Sequence, residues 1–279
     1  MTRNKTLIKG FALATLLPLF AACSSEEDSP VPSGEPQEVQ VSIGARVTID
    51  GGEWIWQSGD VTGLQVTGYD NTTSSYTLSY TGSAWYGNSG ISAILPGTIT
   101  VWYPGGDGTS ATSFTIPVNQ TTDEYLCKAD FMTYSGDLIS TTPSVTLEHR
   151  LSKVIVTITD WSDYGSTMPT VTDFHIQTKE SITVNGSTVT GDGNTIDIFP
   201  LQDEAAHSYT AIVAPNAGFN ITLVVAGKDK TASYTGSLAS GKAYSFNLTL
   251  KDTNALDTRS AGTSDYELEL VEVRDLNEE

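Results

Sequence analysis

The chain has 279 residues, with 33 acidic side chains against 14 basic ones and a formal net charge of −19. A surface of that sign repels phosphate, which excludes nucleic acid as a partner. Two cysteines exclude a disulfide framework, so stability must come from packing, and the length accommodates two domains of ordinary size.

Arg3, Lys5 and Lys9 form a positive leader, residues 11–20 a short apolar run, and Ala21-Ala22 the small residues that precede signal cleavage. The run is roughly half of what crosses a bilayer. Its small-small-Cys ending resembles the bacterial lipobox, with residues 1–22 as signal peptide and Cys23 as the lipid-modified first mature residue. Phe20 departs from the aliphatic residue usual in that box, and the alternative is an ordinary signal peptide with an incidental cysteine. Without the three basic residues of the leader, 11 basic side chains face 33 acidic ones, about −22. Only Cys127 then remains, and it reads as a core residue rather than a nucleophile. Residues 23–37, rich in Ser, Glu, Asp, Pro and Gly, read as a flexible acidic tether.

From Val39 onward the pattern is strand after short strand. Val39, Val41 and Ile43 alternate with polar residues, and Val47 and Ile49 follow Arg46. Tyr76-Leu78-Tyr80, Ile91 to Leu95, Ile99 to Tyr103, Phe114-Ile116, Val145-Leu147 and Val154-Val156-Ile158 continue the series. Ile182 to Val189 predicts a hairpin with Asn185-Gly186 as a type I′ turn. Gly191 to Asn194 then turns the chain into Ile196 to Ile198, for a three-stranded meander. Ile212-Val213, Ile221 to Val225, Tyr234 and Tyr244 to Leu250 complete the set. Many short strands between turn signals predict an all-β chain of β-sandwiches, divided near residues 148–152 into domains 38–150 and 151–250. Residues 251–264 read as a polar spacer, and in the strand after it Tyr266, Leu268 and Leu270 share a face. A register change separates Leu270 from Val271 and Val273.

No catalytic constellation stands out. His149, His175 and His207 lack metal-ligand spacing, and no nucleophile elbow or phosphate loop occurs. Gly191-Asp192-Gly193-Asn194 reads as a turn rather than a calcium loop. The expectation is a non-enzyme with no cofactor and no metal. Among the aromatics, Trp54, Trp56 and Trp102 read as core, while Trp85 and Tyr86, in a Gly/Ser/Asn-rich stretch, are candidates for glycan contact.

Several segments in order resemble the fimbrillin-like family, the surface lipoproteins of type V pili. They are Ile99-Thr-Val-Trp-Tyr-Pro104, Lys128-Ala-Asp-Phe-Met-Thr-Tyr-Ser135, Val145-Thr-Leu-Glu-His-Arg-Leu-Ser-Lys-Val-Ile-Val156 and Gly241-Lys-Ala-Tyr-Ser-Phe-Asn-Leu248. The acidic Glu26-Glu27-Asp28 is similar to the export tag of surface lipoproteins in some anaerobic Gram-negative bacteria. The resemblance implies two transthyretin-like β-sandwich domains in tandem with a C-terminal extension strand, within residues 251–279. It implies an outer-membrane lipoprotein precursor at the cell surface, cut by an Arg- or Lys-specific protease to lose its first strand. A neighbour's C-terminal strand then fills the vacated groove, which yields a fimbrium serving adhesion to a host or bacterial surface ligand. Arg46 is the single basic residue between Cys23 and Lys128, so cleavage between Arg46 and Val47 is the expected maturation step. Tyr266, Leu268, Leu270, Val271 and Val273 form the expected donor strand. The expected role is a stalk or tip subunit; the alternatives are a basal anchor and a monomeric glycan-binding surface lipoprotein.

Overall fold

The structure is a computed structural model that describes residues 34–44, 56–87, 89–251 and 266–277. Cys23, Arg46, Val47, Trp54 and residues 252–265, which include all of the expected spacer but Lys251, lie outside the described residues. The expected all-β class holds. One antiparallel sheet of six strands runs in the order Glu148–His149, Met132–Leu138, Gly97–Tyr103, Val61–Thr67, Thr73–Tyr80 and Trp85–Tyr86. A five-stranded sheet runs Leu201–Asp203, Ser208–Val213, Ser152–Asp160, Lys242–Thr249 and Glu267–Asp275. Facing it across a shared core, Thr188–Ile198, Val171–Asn185, Phe219–Val225 and Lys228–Tyr234 form another, with Ser113–Thr115 added on the Val171–Asn185 strand.

Alternation explains the layering, because successive side chains of a strand point to opposite faces. In Ser152–Asp160, Val154, Val156 and Ile158 turn into the core, and in Phe219–Val225 Phe219, Ile221, Leu223 and Val225 do the same from the facing sheet. A separate apolar cluster, built on Leu64, Val66, Leu78, Ile99 and Val101, lies under the six-stranded sheet. Residues 114–131 belong to the first core rather than to this one, through Ile116, Leu126, Ala129 and Phe131. Gly63 is required where it stands: the Trp102 ring lies over it in space a Cβ would occupy.

Three local expectations are corrected. The chain is not wholly strand, since Asp123–Ala129 is a short helix. Thr122 caps it by accepting from the Tyr125 N–H at 3.2 Å, and Asp123 and Glu124 suit the positive end of its dipole. The hairpin turn is centred on Gly186-Ser187, with Asn185 paired to Thr188. Only Gly186 has a positive φ (60°), the pattern of a II′ turn rather than I′. The meander is two strands and not three, because Gly193 is a bulge within the continuous Thr188–Ile198 strand.

The segment His149 to Val154 carries the chain from the six-stranded to the five-stranded sheet, and each residue has a structural task. His149 Nδ1 and Asp130 Oδ1 lie 2.9 Å apart with both side chains 2% exposed. Arg150 Nε donates to Thr133 Oγ1 at 2.6 Å, and Ser152 Oγ to the Ala239 carbonyl at 2.8 Å. Leu151, Lys153 and Val154 are buried. The later half of the resembling segment 145–156 is therefore a sheet-to-sheet junction.

Candidate functional site

Residues 37–44 occupy a slot beside the six-stranded sheet instead of joining it. Gln37–Glu38 pairs antiparallel with Ser92–Ala93, and Ser42–Ile43 pairs parallel with Ser144–Val145. Between these short ladders the backbone bonds both ways. Val39 N–H donates to the Ile91 carbonyl at 2.8 Å and Gln40 N–H to that of Thr141 at 2.8 Å. Ser42 and Gly44 donate to Pro143 and Val145, each at 2.9 Å.

The expected alternation is present here. Val39, Val41 and Ile43 are 0, 3 and 8% exposed, while Gln40 and Ser42 face water. The three apolar side chains enter the cluster of Leu64, Val66, Leu78 and Ile99. Burial of this kind stabilises by on the order of 2 kcal/mol per side chain. At the far end Trp56 Nε1 donates to the Gly44 carbonyl at 2.8 Å. Removing residues 37–44 would leave an apolar trough and four carbonyls, of Ile91, Thr141, Pro143 and Val145, without their donors. An apolar trough bordered by unpaired carbonyls is unfavourable in water.

The C-terminal strand Glu267–Asp275 lies antiparallel on Lys242–Thr249 at the edge of its sheet. Its ends are fixed and its middle is exposed. Tyr266 is buried, its hydroxyl 2.9 Å from that of Tyr164 and its N–H on the Thr231 carbonyl. At the other end Leu276 is buried, Asp275 pairs with Lys242, and Asn277 meets the main chain of His149. The Lys242 hydrogen bond holds the Asp275 carboxyl below the ordinary carboxylate range, and Lys251 does the same for Glu267. Between them Leu270, Val271 and Val273 are 37, 58 and 48% exposed. Val271 is the extra residue of a bulge, with Leu270 opposite Phe246 and Glu272 opposite Ser245. The register change visible in the sequence is this bulge, and the strand continues through it.

The two aromatics Trp85 and Tyr86 differ in their surroundings. Trp85 is half-buried, edge-on to Trp56 with centroids 5.1 Å apart and tilted against Tyr80 at 5.3 Å. Tyr86 is 68% exposed. Cys127 is buried, and its thiol donates to the Asp123 carbonyl at 2.6 Å. Among the described residues no group of three or more His, Cys, Asp or Glu side chains could hold a metal ion, and no helix is long and apolar enough to cross a membrane.

No curated protein matches the chain in sequence. Among solved structures, a candidate cell adhesion protein from Bacteroides uniformis superposes with a TM-score of 0.58 at 18% identity, covering 86% of this chain and 98% of that one. Another from Bacteroides ovatus gives 0.57 at 16% identity, covering 86% and 97%. At such identities the likeness speaks for a shared fold. The model of the fimbrillin-like family matches residues 46–264, most of the chain, and the protein therefore belongs to the fimbrillin-like family.

Proposed function

We propose that the chain is a structural, non-enzymatic subunit of a cell-surface fimbrium that serves adhesion and is assembled by strand exchange. Lipid on Cys23 holds the precursor in the outer membrane, and cleavage between Arg46 and Val47 releases it together with residues 37–44. The Tyr266 to Val273 strand of a neighbouring subunit then occupies the vacated trough. The subunit is a stalk or tip component of this polymer.

The observation that carries the reading is the burial of Val39, Val41 and Ile43 in a segment joined laterally to the rest of its sandwich. Tyr266, Leu268 and Leu270 repeat the same spacing, every second residue, so a second chain can offer apolar side chains to the same positions. Such a contact is head-to-tail and produces filaments instead of closed rings.

Leu270→Asp tests the donor. The side chain is 37% exposed on its own subunit, so the folded monomer should lose only about 1–2 kcal/mol. A carboxylate entering an apolar trough is costly, and the variant should remain monomeric after Arg-specific cleavage while the parent forms heat-labile ladders. Ladders of undiminished length from Leu270→Asp and from Val273→Asp would overturn the donor assignment.

A further inference from the structure

A depression of about 210 Å3 lies where the chain leaves the Thr188–Ile198 strand and crosses, through Phe199-Pro200, to Leu201–Asp203 in the facing sheet. Its floor is Phe174 stacked on Tyr209, with centroids 3.7 Å apart and planes 3° from parallel. Its wall is Phe199, which is 47% exposed. That ring is not on a loose loop: Phe199 N–H donates to the Val118 carbonyl, and the Phe199 carbonyl accepts from Gln120 N–H, each at 2.9 Å. His175 stands edge-on to the ring at 4.5 Å.

The rim has a second unusual feature. Pairing of the Val171–Asn185 strand with Phe219–Val225 slips between Thr172 and His175, and within this bulge Asp173 takes a φ of +50°. Aspartate tolerates that region at some cost, and bulges of this kind re-aim side chains beside binding sites. Among the described residues neither the Asp173 carboxylate nor the His175 imidazole has a hydrogen-bond partner. Gln202 completes the rim, its Nε2 3.5 Å from the Tyr209 hydroxyl. An exposed phenylalanine, a positive-φ aspartate and unused donors and acceptors meet in one small depression.

The geometry points to a saccharide-binding site here, with the apolar face of one pyranose ring on Phe199 and its hydroxyls on Asp173, His175 and Gln202. Size favours a single ring, since drug-sized ligands occupy roughly 300–1,000 Å3. No lysine or arginine lines the depression, which disfavours phosphates and acidic sugars. A quaternary ammonium would want several aromatic faces around it, and this site presents one exposed ring. The inference stands apart from strand exchange, because no residue of the 37–44 slot or of the C-terminal strand takes part.

The test is saturation-transfer NMR on the full chain. The probes are methyl α-D-mannopyranoside, methyl β-D-galactopyranoside and methyl N-acetyl-β-D-glucosaminide, with choline as the cationic comparison. At least one glycoside should receive saturation on its ring protons. Phe199→Ala should weaken that binding at least about tenfold. Asp173→Asn, which keeps the shape and tolerates the same φ, should weaken it several-fold, and Tyr86→Ala should leave it unchanged. Unaltered thermal melts would show that the variants fold. Transfer to none of the three glycosides, binding indifferent to Phe199→Ala, loss on Tyr86→Ala, or binding of choline alone would overturn the assignment.

Discussion

The side-chain amide of Asn277 spans the main chain of His149: its Oδ1 accepts from the His149 N–H at 2.7 Å, and its Nδ2 lies 3.5 Å from the His149 carbonyl. Two residues 128 positions apart thus join the C-terminal strand to the junction between the sheets. Leu276, buried beside them, donates its N–H to the Gly241 carbonyl at 2.8 Å. Asn277→Ala should remove this end clamp at a local cost of about 1 kcal/mol. Amide exchange should quicken along Glu267–Asp275, with little change in the global melting temperature. Unchanged exchange in that strand would show that the clamp is incidental.

The same strand should loosen in acid. Asp275 has its carboxyl lowered in the folded chain, first by the Lys242 hydrogen bond, from an ordinary value of 3.8. A group lowered on folding contributes stability that is fully present above its unfolded value and is lost as pH falls through the folded one. Glu267, lowered by Lys251 from an ordinary 4.5, acts in the same sense at the other end, so protection of the strand should hold at neutral pH, begin to decline below about 4.5 and fall further below about 3.8. Lys242→Met should reduce the part of this dependence that belongs to Asp275 and leave that of Glu267, as read by exchange at a series of pH values.

In the N-terminal slot the two faces of the segment should respond differently. Val41→Ala removes two buried methyl groups and should destabilise the intact chain by about 2 kcal/mol. Gln40→Ala, on the solvent face, should stay within about 0.5 kcal/mol. Denaturant melts of the uncleaved chain measure both, and equal effects would contradict the observed alternation.

Asp130 and His149 test the junction. Asp130→Ala leaves a buried imidazole without its carboxylate, which costs about 1–3 kcal/mol. Denaturant melts read this cost, and Asp130→Asn, which keeps an acceptor for the imidazole, should lose less than Asp130→Ala. An Asp130→Ala variant as stable as the parent would show that the pair contributes nothing to the junction.

The alternation of Val39, Val41 and Ile43, the strand at Ile99 to Tyr103 and the C-terminal strand were legible in the sequence because a period of two needs only a few residues to appear. The Asp123–Ala129 helix was not, since seven residues make two turns and show no repeat. Its signal was local: Thr122 before Asp123-Glu124, with Lys128 in the last turn. The hairpin turn slipped by one residue because both Asn-Gly and Gly-Ser suit two-residue loops. Cross-strand contact decided it, since the observed register sets Val184 opposite Val189, and the expected one would have set it opposite Ser187. The Phe199 depression left no trace in the sequence, because Asp173, His175, Phe199 and Gln202 come together only through a bulge and a sheet crossover.

Strand exchange is tested most directly by treating the chain with an Arg-specific protease, followed by N-terminal sequencing and unheated gel electrophoresis of the product. The account predicts a mature chain beginning at Val47 that runs as a ladder and collapses to monomer on boiling. A chain that keeps residues 37–44 and stays monomeric, or one cut at Arg46 that forms no ladder, would contradict it.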